Sequence, residues 1–348
     1  MIEEGLVKID TSNVFYNPKM KRLRDISVAF LKAMNIKNAS LLDATAASGI
    51  RGIRYKIEAN IDKITLLDIN RNALNTIKEN LKINNIDANV VIDSIEHFAN
   101  STRERFDIID LDPFGSPVPF IYDIMKLVKD NTILMVTATD MPVLCGVDRN
   151  ACIRFYGSYP LHTYLCKEVG MRILLYKIIQ TAAQFDYGIE PLLGISDMYY
   201  IRVFVRLKKG YKYADNSIEN LGYLIFFKNN EFSYTRSISK ISSLYKKGSQ
   251  ISGPLWLSNL YNKDIISNML LYTNEKIIKT INNELDIPFF YHLGLLTSSL
   301  GIGSIPIKKV IEAISSLGFN ATRTQFDNMG IKSNITFNQL IKLLSNKY

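Results

Sequence analysis

Along residues 25–207, short apolar runs alternate with stretches in which apolar side chains recur at helical spacing. Ile26, Phe30, Leu31 and Met34 share one helical face, with Asp25 placed as a cap. Runs at 40–43, 64–68, 89–93 and 106–111 read as strands buried on both faces, as parallel strands are. Between the second and third of these, Ala73, Leu74, Ile77 and Leu81 line one face of a helix. A helix around 120–128, a strand over 132–137 and a helix over 172–183 follow. Runs at 189–195 and 199–207, joined at Ser196-Asp197, read as an antiparallel pair closing the sheet. Strands and helices alternating in this way predict an α/β protein with a Rossmann-like, doubly wound sheet.

Elsewhere the rhythm breaks. Residues 1–24 read as an irregular arm, and 140–168 is too polar and punctuated for a core, which suggests a loop or insertion over a site. At Lys208-Lys209-Gly210 the pattern changes, so the chain divides into domains 1–207 and 208–348. The second is smaller and α+β. It has a hairpin over 223–234 turning at Asn229-Asn230, and a turn at 253–256 carrying the only tryptophan. Helices are expected at 264–270, 275–285, 291–300, 306–317 and 338–344, with a segment at 320–326 and a turn at Gly330. That order resembles a winged helix.

Composition narrows the class. The 348 residues are 47% apolar, ample for a packed core, and the formal charge of +9 favours a polyanionic partner without requiring one. Cys145, Cys152 and Cys166 form no C-x-x-C pair, and His97, His162 and His292 lie far apart, so no disulfide framework or Cys/His metal site is expected. The acidic N-terminus lacks a signal peptide, and no apolar run approaches the ~18 residues a membrane helix needs. A soluble cytoplasmic protein, off the membrane and with no protein partner evident, is the expectation.

The candidate chemistry sits at strand ends. The run 106–111 stops at Asp112-Pro113-Phe114-Gly115, where proline and glycine forbid further strand or helix. Open α/β sheets bind ligands along that edge. Two readings stand there. In one, Asp112 and the Pro113 carbonyl accept hydrogen bonds from an exocyclic NH2 while Phe114 stacks on its ring; in the other, this is a strand-to-loop turn with an Asp cap. Three further strands end in acids. Asp43 precedes a small-residue turn where backbone can approach a ligand, and suits a cationic amino group. Asp68 suits the ribose hydroxyls of an adenosine, and Asp93 an adenine amino group. The turn is not G-x-G-x-x-G, which disfavours a dinucleotide. One strand-end acid is ordinarily a helix cap; four in series point to S-adenosylmethionine.

Basic and aromatic residues leave choices open. Val14-Phe15-Tyr16-Asn17-Pro18 precedes Lys19, Lys21, Arg22 and Arg24, which suits stacking on bases with cations on phosphates, or equally a strap packing Phe15 into the core. Lys308, Lys309, Arg323 and Lys332 either line a phosphate-facing surface or are ordinary solvated charges.

With these blocks in hand, the chain resembles the tRNA guanine-26 N2-dimethyltransferases in the compact form typical of archaea. The similarity spans nearly its whole length. It runs through 14–18 with Arg24-Asp25, 43–52, Asp110-Leu-Asp112-Pro-Phe-Gly115, Cys145-Gly146, 156–161, Glu168, Ser196-Asp197-Met-Tyr-Tyr200-Ile-Arg-Val, Gly253-Pro-Leu-Trp256, 322–326 and 330–332. The resemblance implies a class I methyltransferase fold. It also implies methyl transfer from S-adenosylmethionine, once or twice, to the exocyclic amine of one tRNA guanine. It makes Asp112 the catalytic carboxylate beside Pro113, Phe114 the base-stacking ring and Phe15 a second ring near the base. Arg24, Asp43, Arg51, Asp68 and Asp93 fall at cofactor positions, Arg24 and Arg51 facing the methionine carboxylate. One departure stands out. Many members carry a four-cysteine zinc cluster in the region matching 221–241, which here holds no cysteine, so its hairpin must rest on packing around Tyr223, Phe226, Phe232 and Tyr234.

Other readings compete with this one. An adenine-N6 or protein-amide methyltransferase also uses an Asp/Asn-Pro-aromatic clamp, but Phe114-Gly115 stands where its second proline and tyrosine would be. Action on another RNA guanine, or RNA binding without catalysis on a relict cofactor fold, are further alternatives; the intact acids count against decay. An NAD oxidoreductase lacks its fingerprint.

Overall fold

A computed structural model of the chain describes residues 1–347. It opens with a hairpin, β1 (Ile2–Glu4) and β2 (Val7–Ile9), followed by α1 (Lys21–Met34). The expected irregular arm is therefore partly ordered, because Val7 and Ile9 alternate inward and are buried. Asp25 does not cap α1. It lies inside the helix and pairs with Lys21 and Arg54, each at 2.7 Å.

The expected alternation then appears: β3 (Ser40–Asp43), α2 (Ile50–Ala59), β4 (Lys63–Asp68), α3 (Ala73–Ile83), β5 (Asn89–Ile92), α4 (Ile95–Ser101), β6 (Phe106–Leu111), α5 (Val118–Ile124) and β7 (Val128–Ala138). After α6 (Met141–Leu144), α7 (Arg149–Tyr156) and α8 (Cys166–Ala183), the antiparallel pair β8 (Tyr187–Ser196) and β9 (Ile201–Lys209) completes a seven-stranded sheet in the order β5-β4-β3-β6-β7-β9-β8. The chain runs outward from β3 through β4 to β5, then restarts at β6 on the other side of β3. That reversal opens a crevice beyond the carboxyl ends of β3 and β6.

The segment 140–168, expected as a polar loop, is instead largely helical, with Leu144, Cys152, Tyr156, Leu165 and Glu168 buried. Several of its polar groups find partners across the fold, as Tyr156 does with Asp140 and Ser158 with the Pro254 carbonyl, which the letters alone do not reveal.

The remainder begins with α9 (Tyr211–Glu219), β10 (Leu221–Phe226), β11 (Phe232–Thr235), α10 (Ile241–Leu244) and β12 (Gln250–Trp256). The expected turn at 253–256 is thus the end of a strand, paired with β10 in a three-stranded sheet. Phe232 packs on Phe289 and Tyr291, Tyr234 on Phe289, and Phe226 on Tyr164, so aromatic contacts hold this hairpin. Then come α11 (Lys263–Met269), α12 (Lys276–Asn283), β13 (Tyr291–His292), α13 (Leu293–Ser299), α14 (Ile307–Ser316), β14 (Ala321–Arg323), β15 (Gly330–Ser333) and α15 (Phe337–Lys347). Gly330 opens a strand where a turn was expected. Helices α13, α14 and α15 cover the small sheet β13-β15-β14 around Leu293, Val310, Ile314, Ile331 and Leu340. Lys332 is no surface cation: on the central strand of that sheet it is fully buried between Glu168 (3.3 Å) and Glu284 (3.1 Å). Among the described residues no helix is long and apolar enough to cross a membrane, and no three His, Cys, Asp or Glu side chains group as a metal site.

Candidate active site

Four acids stand at the carboxyl ends of four neighbouring strands: Asp93 after β5, Asp68 on β4, Asp43 on β3 and Asp112 after β6. Behind two of them, Asp43 and Asp112, lies a buried charge network within the sheet. Asp110, fully buried on β6, accepts from Arg202 Nη2 through both oxygens at 2.9 Å and from the Tyr55 hydroxyl at 2.6 Å. Arg202 reaches it from β9 and also donates to Thr137 Oγ1 on β7 at 2.7 Å. Arg51, from the first turn of α2, lies between Asp110 on β6 and Asp112 just beyond it. Its Nη2 pairs with Asp112 Oδ2, while its buried Nη1 is 3.8 Å from Asp110 and has no hydrogen-bond partner.

The loop after β6 is pinned at both ends. Asp112 N donates to Thr45 Oγ1 (3.2 Å), Gly115 N to Thr139 Oγ1 (2.8 Å), and Thr139 N back to the Gly115 carbonyl (2.9 Å). Gly115 takes φ +75°, a conformation that disfavours any side chain. Ser116 donates to the Tyr156 hydroxyl, which donates to Asp140 at 2.9 Å. Phe114 lies within this pinned loop. It is 74% exposed and meets Phe15, 54% exposed, edge-on at 4.4 Å between centroids. Phe15 is therefore an exposed ring, and no strap into the core.

Electrostatics separate the acids. Burial opposes ionisation of Asp112, but Arg51, then Arg202, outweigh it and hold its pKa below the usual carboxylate value. For Asp43, burial and the neighbouring Asp110 win over Arg51, and the pKa is pushed up to about 7. Asp43 Oδ2 accepts from Gly52 N at 3.2 Å, while its buried Oδ1 has no partner. Asp68 accepts from Ala47 N (2.7 Å) and Asn70 N (2.8 Å), fixing it under the small-residue turn. Asp93 accepts from Ser94 N (2.8 Å) and pairs with His97 Nδ1 (2.5 Å). None of Arg24's hydrogen bonds reaches the strand ends. Its Nε and Nη2 are held by Glu4 at 2.7 and 2.5 Å, and it lies over the ring of Tyr16.

A family model described as N2,N2-dimethylguanosine tRNA methyltransferase matches residues 2–345. The tRNA (guanine(26)-N(2))-dimethyltransferase of Thermococcus kodakarensis is 35% identical, over 99% of this chain and 98% of its own. That of Pyrococcus furiosus is 37% identical, over 96% and 93%. The solved structure of Trm1 from Pyrococcus horikoshii with S-adenosyl-L-methionine superimposes with a TM-score of 0.91 at 34% identity, covering 98% of each chain. The chain belongs to the N2,N2-dimethylguanosine tRNA methyltransferase family. Within this family fold, the residues that sequence reasoning missed are the supports: Tyr55, Thr45, Thr139, Tyr156, Arg202 and His97. Arg202 did leave a signal, a lone cation in the apolar run Tyr200-Ile-Arg-Val-Phe.

Proposed function

We propose that this chain transfers methyl groups, one or two, from S-adenosylmethionine to the exocyclic N2 of guanine-26 in tRNA. Residues 1–207 carry the chemistry and 208–348 serve the tRNA. The observation that carries the reading is that Asp112, with exposed Phe114 just beyond it in the chain and paired with exposed Phe15, stands at the crevice where Asp43 and Arg51 each keep one buried, unpartnered atom.

Those two atoms fit the cofactor. Asp43 Oδ1 is an acceptor and Arg51 Nη1 a donor, so an ammonium and a carboxylate, as on a methionine moiety, complete both. Arg24 would offer Nη1 to the same carboxylate, its Nε and Nη2 being held by Glu4 and the Asn17 carbonyl. Asp68 would hold the ribose hydroxyls and Asp93 the adenine amino group. When bound, the cofactor supplies a methyl group already activated on a sulfonium.

The protein's part is to orient and deprotonate a poor nucleophile. The lone pair of guanine N2 is delocalised into its ring. Asp112, ionised because its pKa is lowered, and the Pro113 carbonyl each accept one N–H and favour a pyramidal nitrogen as attack begins. A weak base suffices, because the nitrogen becomes strongly acidic once methylated; Asp112 then takes the proton. Phe114 and Phe15 hold the base, which must leave its stack to enter.

Unmodified tRNA transcripts incubated with labelled S-adenosylmethionine test this, with nucleosides read by mass spectrometry. N2-methylated guanosine at position 26 is expected. Asp112→Ala should lower turnover roughly 10²–10⁴-fold while retaining cofactor binding. Methylated adenine, or an Asp112→Ala enzyme of full activity, would sink the assignment.

A further inference from the structure

The tip between β8 and β9 carries exposed apolar surface that methyl transfer does not use. Met198 is 67% and Tyr199 58% exposed, although Tyr200 beside them is buried at 4%. Ala138, the last residue of β7, pairs with Ile201, so this tip lies beyond the same sheet edge as Asp112. It stands two strands across from β6, roughly 10 Å at the usual strand spacing.

The N-terminal arm bridges that distance. Phe15 meets Phe114, and Lys19, farther along the same segment, lies over the Tyr199 ring at 5.4 Å. The tip is held in place from α1. Arg22 Nη1 pairs with Asp197 (3.2 Å) while its Nε pairs with Glu275 (2.7 Å), and Met198 N donates to Asp197 Oδ1 (2.6 Å). A ring more than half exposed on a tip held by ion pairs, with a cation over one face, can take a single nucleobase on the other.

We propose that Tyr199 is a stacking platform for the nucleobase flanking the target guanine, with Lys19 on the adjoining phosphate. The inference rests on the methyl-transfer reading above. Withdrawing a guanine from its stack strips its neighbour of one face, and an aromatic ring beside the pocket mouth restores that contact. An RNA occupant is favoured by Lys19 at the ring and by the chain's +9 charge.

The test compares wild type with Tyr199→Ala and Tyr199→Phe on intact transcripts and on transcripts made abasic at either neighbour of the target. Tyr199→Ala should raise KM for tRNA on the order of tenfold, with S-adenosylmethionine affinity unchanged, and Tyr199→Phe should behave as wild type. On the transcript abasic at the stacked neighbour, wild type should fall to the level of Tyr199→Ala, and Tyr199→Ala should fall no further. An unchanged KM for Tyr199→Ala, or independent losses from the variant and both abasic sites, overturns the proposal. Wild-type methylation of the intact transcript reports separately on the parent reading. If that fails, filter binding of the same transcripts still decides the platform, because stacking needs no turnover.

Discussion

At the scale of single residues, Asp43 shows how ligand binding and stability pull apart. Its pKa of about 7, against 3.8 for a free carboxylate, arises first from burial and then from Asp110. Between those values the folded protein binds a proton that the unfolded chain has released, so stability falls as pH rises from about 4 to about 7. A ligand ammonium needs the ionised form. Cofactor affinity should therefore weaken about tenfold per pH unit below about 7, read by calorimetry, and level off above it. Asp43→Asn should bind cofactor poorly at every pH, yet unfold later than wild type at pH 8 and together with it near pH 4. A pH-independent affinity in the wild type would contradict the assignment. The strand-end acids were legible in sequence because each closes an apolar run. The Asp110–Arg202 pair was not, since its members lie 92 positions apart and meet only after β9 pairs with β7.

At the scale of elements, the helix α2 owes its close approach to the sheet to Gly52. A Cβ there would stand 2.3 Å from Leu66 Cδ2 and 3.3 Å from Ile64 Cγ2, both on β4, while Gly52 N already donates to Asp43. Gly52→Ala should destabilise by about 1–3 kcal/mol through overpacking, measured by urea unfolding. Because α2 also carries Arg51, cofactor affinity should drop with it. A variant of wild-type stability and affinity would mean that α2 can shift freely. Elements with a clean period, such as β3, β6 and α3, match the reading of the sequence, whereas α8, apolar nearly all round, is read only from Arg172 onward. The segment 140–168 does not match. Its polar residues find partners only in the folded chain, as Tyr156 does with Asp140, and a one-dimensional pattern shows the polarity without the partner.

At the scale of the molecule, the sheet and the C-terminal part are joined by buried charge. Glu168 on α8 accepts from Arg172 (2.7 Å), from Lys332 (3.3 Å) and from Phe289 N (2.9 Å), and Lys332 also pairs with Glu284 at 3.1 Å. The sequence puts Lys332 at the surface, facing phosphate or solvent, because a lysine is almost never fully buried unless paired; only the partners on α8 and after α12 explain its burial. Burial alone would push Glu168 toward protonation, yet Lys332 and Arg172 hold its pKa below the usual value. Glu284, with fewer cations about it, is pushed up by burial. Lys332→Met keeps much of the volume but leaves two buried carboxylates facing each other. Removing one partner of a buried ion pair costs about 3–5 kcal/mol, so the urea midpoint should fall by a matching amount. Adding Glu284→Gln should restore part of the loss, because the amide carries no charge, its oxygen can still accept from Gln325 N, and its NH2 can donate to the Thr324 hydroxyl, which can turn to accept. Loss without such rescue would mean that Lys332 acts by packing alone, and no loss at all would mean that the two parts are held by their apolar contacts. If the charges do fix the C-terminal part against the sheet, the same variant should lose tRNA affinity before cofactor affinity, since Asp43 and Arg51 lie in the sheet crevice while Arg22–Glu275 and the Lys332 cluster span both parts.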